Sequence, residues 1–398
     1  MSIDVLITDR DLNVLGDPLD GWTRLDVTLR FNEPSSGTIT LPADPDAVRH
    51  IAAGNRIVLI RDGQVLASGP IERPMAPYQR GLPSGEGGEG ADDPEPGTLT
   101  LAWVDDLAHL SWRLVRPNPS AGVDQQTASH YELTDDAETV IRALVDLNLG
   151  PSALEERRVP GLILGDVAGV GSTVSVRSRF GTVLAEAQSM AIAGGGLGFR
   201  TRQVGSQIVF EVYQPVDRTR TARYSWDLGN LRSVTVEQAA PAITHAVVGG
   251  QGEEENREII ERADEAAAAA WWRIEGWVDS RHEDTTAGLQ QSGDEALAEG
   301  GETVQIAAVT VDTPDLRFGR DVGLGDRATI AYRPGVDAAE IVRQATIQAT
   351  PSSGEYVSLL IGSQEATQDP EWVVLARRIR RSLQRLETGT DVPAPPPP

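Results

Sequence analysis

The clearest strand signal in the sequence is Leu25-Asp26-Val27-Thr28-Leu29-Arg30-Phe31, in which apolar and polar residues alternate. A period of two predicts a β-strand with one buried and one solvent-facing side. A turn signal at 33–37 separates this strand from a second one, Thr38-Ile39-Thr40-Leu41. Further along, Arg61-Asp62-Gly63 predicts a tight hairpin. The N-terminal part of the chain is therefore predicted to be β-structure.

Short strand patterns continue through the rest of the chain. The predicted strands are Arg56–Ile60, Gln64–Gly69, Thr98–Val104, Phe199–Arg202, Gln207–Val212, Thr244–Val248, Arg273–Val278, Arg327–Tyr332 and Tyr356–Ile361. Strands of this length and spacing favour a small barrel or sandwich in the N-terminal part. The predicted fold class is α+β and β-rich.

Helices are predicted between these strands. The first has Thr134 as its N-cap and ends at Gly150, and the second runs over Thr182–Ala193. A third, short helix is predicted at Ala266–Trp271. The buried face of the first helix consists of Ala137, Val140, Ile141, Leu144 and Val145.

Composition narrows the range of functions. The 398 residues carry 35 Lys and Arg against 59 Asp and Glu, a formal net charge of −24, and every one of those basic residues is Arg. Such an acidic chain repels nucleic acid, which argues against a main function in gripping DNA or RNA. The absence of Cys excludes disulfides, thiolate metal sites and Cys nucleophiles. With no signal-peptide pattern and no long apolar run, we expect a soluble chain made in the cytoplasm, without membrane insertion.

No constellation of residues marks a catalytic or metal site. The five His residues show no metal-ligand spacing. The run His282-Glu283-Asp284 is a poor candidate for a metal site because adjacent residues rarely converge on one ion. The glycines Gly85, Gly87 and Gly90 match a dinucleotide-binding pattern, but they lie in an acidic stretch with no strand before it. We therefore predict a protein that is not an enzyme and that uses no cofactor or metal.

Two specific functions stay open as alternatives, one enzymatic and one of ligand binding. A hydrolase that cleaves glycosidic bonds could use a pair among the 59 acidic residues, although nothing distinguishes one pair from another. A carbohydrate-binding receptor module could use exposed Trp side chains. Trp103 and Trp112 flank Asp105-Asp106, and Trp271-Trp272 lies beside an Ala-rich stretch. Packing in the core or at a subunit interface is the favoured explanation for these Trp residues.

A heptad pattern lies near the C-terminus. Asp369 caps a predicted amphipathic helix, and Pro370 suits its first position. The apolar seam consists of Trp372, Ala376, Ile379, Leu383 and Leu386. The other face is rich in arginine and includes Arg377 and Arg381. We predict that these seven residues form a subunit or partner interface, and that the Pro-rich tail at 393–398 is extended.

Short motifs recur in two blocks of the chain. The first block contains Gly21-Trp22, Val27–Phe31, Gly37–Pro42, Gly54–Ile60, Gly69-Pro70-Ile71 and Leu99–Leu107. The second contains Val247–Gly252, Trp272–Glu275, Val278–Arg281, Gly323–Arg327, Val342–Gln344 and Leu359–Gly362. In this order, the motifs resemble those of the baseplate-hub or tail-associated minor tail proteins of long-tailed (siphovirus-type) bacteriophages.

The resemblance implies two small β-barrel-like domains of the phage tail-hub type, with inserted helices and a C-terminal amphipathic helix. Residues 1–118 are then an N-terminal β-barrel domain with an acidic, flexible insert at 81–97. Residues 119–240 form a helical and hairpin middle domain, and residues 241–368 form the second hub domain. Residues 369–398 supply the amphipathic helix and the tail. The matched motifs are structural, so no catalytic residue is implied.

The resemblance also implies a function as a structural hub of the virion, at the tail tip. Such proteins form a homotrimeric ring that closes the tail tube. The expected partners are the distal tail protein, the tape-measure protein and downstream tail-tip or fibre proteins. DNA passes through during ejection without being specifically bound, and assembly takes place in the host cytoplasm.

Overall fold

The structure, a computed structural model, describes residues 3–42, 49–75, 98–252, 257–281, 285–301 and 303–362. The strands are β1 (Ile3–Thr8), β2 (Arg24–Arg30), β3 (Ser36–Pro42), β4 (Arg56–Arg61), β5 (Gln64–Met75), β6 (Thr98–Val104), β7 (Tyr131–Asp136), β8 (Leu162–Leu164), β9 (Thr173–Ser178), β10 (Gly198–Val204), β11 (Gln207–Tyr213), β12 (Arg223–Ser225), β13 (Leu231–Ala239), β14 (His245–Gly249), β15 (Ile259–Ala263), β16 (Glu275–Asp279), β17 (Thr303–Val311), β18 (Arg327–Arg333), β19 (Val336–Thr350) and β20 (Gly354–Gly362). The helices are α1 (Ala108–Ser111), α2 (Ala137–Leu149), α3 (Val183–Ala193), α4 (Glu265–Ala270) and α5 (Thr286–Glu299), with 3-10 turns at Val123–Gln125 and Glu155–Arg157. Strands predominate, which confirms the β-rich α+β class. Across the described part of the chain, no helix combines the length and the apolar character that a membrane crossing requires.

The chain folds into two compact units. Unit 1 comprises residues 1–233 and 308–361, and unit 2 comprises residues 234–307 and 362–398. The sequence of unit 2 thus interrupts that of unit 1. The segment boundaries predicted at 118, 240 and 368 stay predictions.

A large sheet is the framework of unit 1. Within unit 1 its strand order is β1-β4-β5-β6-β3-β2-β19-β20, and β18 joins β12 to β19. Strand β2 pairs antiparallel with β3 and with β19, so that Leu25 lies opposite both Ile39 and Ala349. The N-terminal strands do not close on themselves because β19 occupies the second edge of β2. No sheet in the described residues forms a closed barrel, which corrects the expectation of barrel-like domains.

The alternating residues of β2 form part of the core, as their pattern predicts. Leu25 and Val27 are fully buried, and Leu29 is 7% exposed. The predicted hairpin joins β4 to β5, and its turn residues Asp62 and Gly63 have positive φ angles of 50° and 79°. Two successive positive φ angles are typical of the hairpin turns that match strand twist, which explains why Gly follows Asp here.

Helices α2 and α3 pack with β7–β11 into a second core of unit 1. The predicted buried face of α2 is confirmed, since Ala137, Val140, Ile141, Leu144 and Val145 are all 0% exposed. The predicted N-cap was wrong: Thr134 lies in β7, and the cap is Asp136, whose carboxylate accepts the Thr139 N–H at 2.8 Å. Pairing of β7 with β9 extends to Asp136 and delays the start of the helix. The helix predicted over Thr182–Ala193 is confirmed as α3, and Thr182 is its N-cap.

Asn32 joins the large sheet to this second core. Its side chain donates to the Leu197 carbonyl at 2.8 Å and accepts the Phe199 N–H at 2.8 Å, just before and within β10. Its own carbonyl accepts a hydrogen bond from Gln188 of α3 at 2.9 Å. Asn32 has a positive φ of 55°, a region that Asn tolerates better than most residues. One buried residue therefore fixes both the turn after β2 and the position of β10.

We predict that Asn32→Ala lowers the free energy of unfolding by about 2–4 kcal/mol, because two buried backbone groups lose their partner. Asn32→Gly removes the same hydrogen bonds but adopts the positive φ freely, so its loss is expected to be about 1 kcal/mol smaller. Urea titration of the three proteins measures these differences. Equal stability of wild type and Asn32→Ala contradicts the role assigned to this residue.

Unit 2 contains a three-stranded sheet covered on one face by α5. The strand order is β15-β14-β16, and Ala246 and Val248 are buried against Leu289 of the helix. The other face of the sheet carries Trp277 and Ile259, which are 55% and 56% exposed. The Gly-rich turn of the second motif block follows β14.

Candidate functional site

The residues predicted for partner contact lie outside the described part of the chain. They are Trp372, Ala376, Arg377, Ile379, Arg381, Leu383 and Leu386, and their role stays a prediction. The acidic insert 81–97 and His282 also lie outside it. Of the Trp residues noted in the sequence, Trp103 is buried in the core, whereas Trp112 and Trp272 are 47% and 78% exposed. Within the described ranges, no three His, Asp or Glu side chains are grouped so that they could hold a metal ion.

A buried ion pair lies where β6 ends and α1 begins. Arg56 of β4 donates from Nη2 to both carboxylate oxygens of Asp106, at 2.7 and 2.6 Å. The hydroxyl of Ser68, in β5, donates to the same carboxylate at 2.7 Å. Burial raises the pKa of Asp106, while the charge of Arg56 and the Ser68 hydroxyl oppose that rise. Because an unpaired buried charge is costly, these groups hold β4, β5 and the turn after β6 together.

A glycine allows this cluster to form. A Cβ on Gly69 would lie 2.1 Å from the Val104 carbonyl oxygen and 2.6 Å from Cα of Asp105. Both neighbours are backbone atoms, so relieving the clash would require a shift of the main chain. Only Gly therefore lets β5 pass close enough to the end of β6 for Ser68 to reach Asp106.

A cavity of about 660 Å³ in unit 1 is lined by arginines whose charges are mostly paired. The pairs are Arg61 with Glu355, Arg200 and Arg202 with Glu211, Arg218 with Asp326, and Arg320 with Asp321. Asp105 and Ser68 line the same cavity. The paired arginines join loops to strands, so this cavity has a structural explanation.

A second cavity, of about 360 Å³, is lined by arginines with few carboxylates. Arg10, Arg56, Arg113 and Arg158 reach it, and Glu156 is the acidic residue in its wall. Arg113 and Arg158 donate to the carbonyl groups of Arg157 and Ala153, at 3.2 and 2.8 Å, and so keep their positive charge unneutralised. Trp112 and His109 complete the polar side of the cavity, and the remaining wall is largely apolar.

Three buried nitrogen atoms of residues around this second cavity lack hydrogen-bond partners among the described residues. The Nε and Nη1 atoms of Arg56 and the Nδ1 atom of His109 are buried without a hydrogen bond to any described residue. Burial and, to a smaller extent, the charges of Arg113, Arg56 and Arg10 together lower the pKa of His109 to about 4. His109 is thus neutral at pH 7 although its Nε2 lies 3.9 Å from Asp106. The cavity combines positive potential with unused hydrogen-bonding atoms, which is the chemistry of an anion site.

Asp105, which lines the larger cavity, holds a proton near neutral pH. Burial raises its pKa to about 7, the neighbouring charge of Asp106 adds to the rise, and hydrogen bonds from Ser35 oppose it. An unfolded chain loses this proton at a pH near 4. The stability that comes from neutral Asp105 is therefore present in full below about pH 4 and is lost as the pH rises to about 7.

We predict that Asp105→Asn becomes more stable relative to wild type as the pH rises. Asn cannot ionise, so the difference in unfolding free energy should grow by roughly 1–3 kcal/mol from pH 4 to pH 7 and then level off. Urea titration at several pH values measures it. Asp312, whose pKa burial raises to about 6, is present in both proteins and cancels from the difference. A difference that does not vary with pH shows that Asp105 is ionised throughout.

The fold identifies the class of protein. The chain is similar to the tail protein from Neisseria meningitidis MC58, with 14% identity, a TM-score of 0.51, and coverage of 92% of this chain and 97% of that one. It is also similar to the 43 kDa tail protein of prophage MuSo2 from Shewanella oneidensis, with 11% identity, a TM-score of 0.52, and coverage of 92% and 100%. At these identities the likeness shows the fold, which is that of phage tail proteins.

The family follows from the sequence. The chain belongs to the family described as Siphovirus ReqiPepy6 Gp37-like protein, which matches residues 4–363. The resemblance to siphovirus tail proteins is thereby confirmed. No curated protein matches the sequence.

One of the motifs that carried this resemblance has a clear structural role. Asp326 accepts hydrogen bonds from the N–H groups of Val216 and Gly323, each at 2.9 Å, and thereby ties two loops to the start of β18. Gly325 has a φ of +83°, and a Cβ there would lie 2.3 Å from the ring of Phe31. The Gly-Asp step before the strand is therefore required by packing and hydrogen bonding.

The arginine-lined cavity of about 360 Å³ was missed by sequence reasoning. Arg10 follows β1, Arg56 lies in β4, Arg113 follows α1, and Arg158 follows the second 3-10 turn. Residues from four separate segments leave no spacing that a motif search can detect. The one signal in the sequence was Trp112, close to Asp105-Asp106.

Proposed function

We propose that this tail protein is the structural hub at the tip of a siphovirus-type tail, where it forms a homotrimeric ring that closes the tube and opens for DNA ejection. The observation that carries the proposal is the family match over residues 4–363, together with a net charge of −24. Acidic walls repel the phosphate backbone, so DNA can pass without being held. The protein acts by assembly and not by catalysis.

The proposed partners follow from this position. The ring contacts the distal tail protein above it, the end of the tape-measure protein, and the tail-tip or fibre proteins below. Assembly takes place in the host cytoplasm before the virion is released. The chain has no Cys, so a reducing compartment costs it no disulfide.

The position and copy number are tested by cryo-electron microscopy of intact particles. We expect three copies around the distal end of the tail tube. A peripheral position, or absence from the particle, overturns the hub proposal. In that event the purified chain should be tested for clearing of purified cell walls and for binding to the host surface, which are the signs of a hydrolase and of a carbohydrate receptor.

The C-terminal seam is tested separately. We propose that Trp372, Ala376, Ile379, Leu383 and Leu386, with Arg377 and Arg381 beside them, dock on a neighbouring subunit or tail protein. Deletion of 370–398 should then abolish trimers or their incorporation into tails, measured by light scattering against the 42.6 kDa chain mass and by particle composition. Replacing the Pro-rich residues 393–398 alone is the matched control and should change neither. Full assembly of the deleted chain overturns the role of the seam.

A further inference from the structure

We propose that the cavity lined by Arg10, Arg56, Arg113 and Arg158 is a binding site for a phosphate-bearing small molecule of the size of a sugar phosphate. This cavity is called the arginine pocket below. The proposal goes beyond the tail-hub function and does not depend on it, since a binding site in unit 1 can be tested on the purified chain.

The charge of the arginine pocket selects an anion. The whole chain has a net charge of −24, yet the wall of this pocket contains four guanidinium groups and a single carboxylate, that of Glu156. Two of them, Arg113 and Arg158, donate to backbone carbonyls, and no ion pair involves Arg10 in the described part of the chain. Guanidinium groups bind phosphate through paired N–H donors, and bonds to a charged acceptor are among the strongest hydrogen bonds in proteins. A phosphate group therefore fits this wall better than a neutral ligand.

Arg56 makes the arginine pocket a built site. Arg56 is 4% exposed, and its Nη2 donates to the two carboxylate oxygens of Asp106 at 2.7 and 2.6 Å. Its Nε and Nη1 atoms have no partner among the described residues. Buried donors without partners are rare in folded proteins because each carries a desolvation cost. An anion in the arginine pocket offsets the positive charge that these shielded donors leave uncompensated.

The size and the remaining wall argue for a small ligand. A volume of about 360 Å³ lies in the range of small-molecule sites and exceeds what a lone phosphate ion fills. Trp112, 47% exposed, meets His109 edge-on with ring centroids 5.0 Å apart, and offers one indole surface to a ring. Pro70, Pro160 and Val159 add apolar surface. A DNA duplex is disfavoured because the rest of the chain repels it.

The test is isothermal titration of the purified full-length chain at constant ionic strength, with glucose 6-phosphate, inorganic phosphate, glucose and a short DNA duplex as probes. We expect glucose 6-phosphate to bind, inorganic phosphate to bind more weakly, and glucose and the duplex to give no heat. Arg10→Gln should weaken glucose 6-phosphate binding about tenfold, the loss expected for one charge-assisted hydrogen bond. Arg10 makes no hydrogen bond or ion pair with the described residues, so this variant should fold normally.

The control is Arg232→Gln, which removes the same charge from an exposed residue of β13 that lines neither cavity. It should bind glucose 6-phosphate as wild type does, and both variants should match wild type in circular dichroism. Trp112→Ala should weaken glucose 6-phosphate more than inorganic phosphate, since only the sugar contacts the indole. Three results overturn the proposal: no binding of either phosphate probe, equal weakening by Arg10→Gln and Arg232→Gln, or preferential binding of the duplex.

Discussion

Unit 1 depends on the pairing of β2 with β19, which joins strands from opposite ends of the described chain. The paired residues place Val27 opposite Ile347 and Leu29 opposite Ala345, so the apolar rows of the two strands form one continuous buried surface. Strand β2 would otherwise present an open edge and lose half of its hydrogen bonds. The same pairing explains why the N-terminal strands extend the large sheet and do not form a closed barrel.

Single buried polar side chains join this sheet to the segments around it. Asn32, Asp106 and Asp326 are buried, and the hydrogen bonds of each side chain connect segments that are distant in sequence. Among the described residues the cation of each ion pair is an arginine, because the chain has no Lys. The planar guanidinium can satisfy a carboxylate at two points, which suits buried junctions. Where arginines outnumber carboxylates, as around Arg56 and Arg113, the surplus charge becomes available for a ligand.

The sequence was informative where structure is determined locally. The strand at Leu25–Phe31 and the helix over Thr182–Ala193 each depend on neighbouring residues, and both predictions are confirmed. Strand β19 was not predicted, because Val336–Thr350 is rich in Ala and polar residues and is stabilised by β2 and β20 on its two sides. The start of α2 was misplaced for the same reason, since pairing with β9 keeps Thr134 extended. The four arginines of the candidate site converge only in the folded chain.

The interrupted sequence of unit 1 has a consequence for the order of events during synthesis. Residues 24–30 leave the ribosome long before residues 336–350. One edge of β2 therefore has no β19 to pair with while the whole of 234–307 is translated. Non-local pairing of this kind slows folding, and an uncovered edge invites pairing with the wrong chain. The nascent protein is thus most vulnerable to aggregation until residues 336–350 emerge, and chaperones that hold nascent chains should be most valuable to it in that interval.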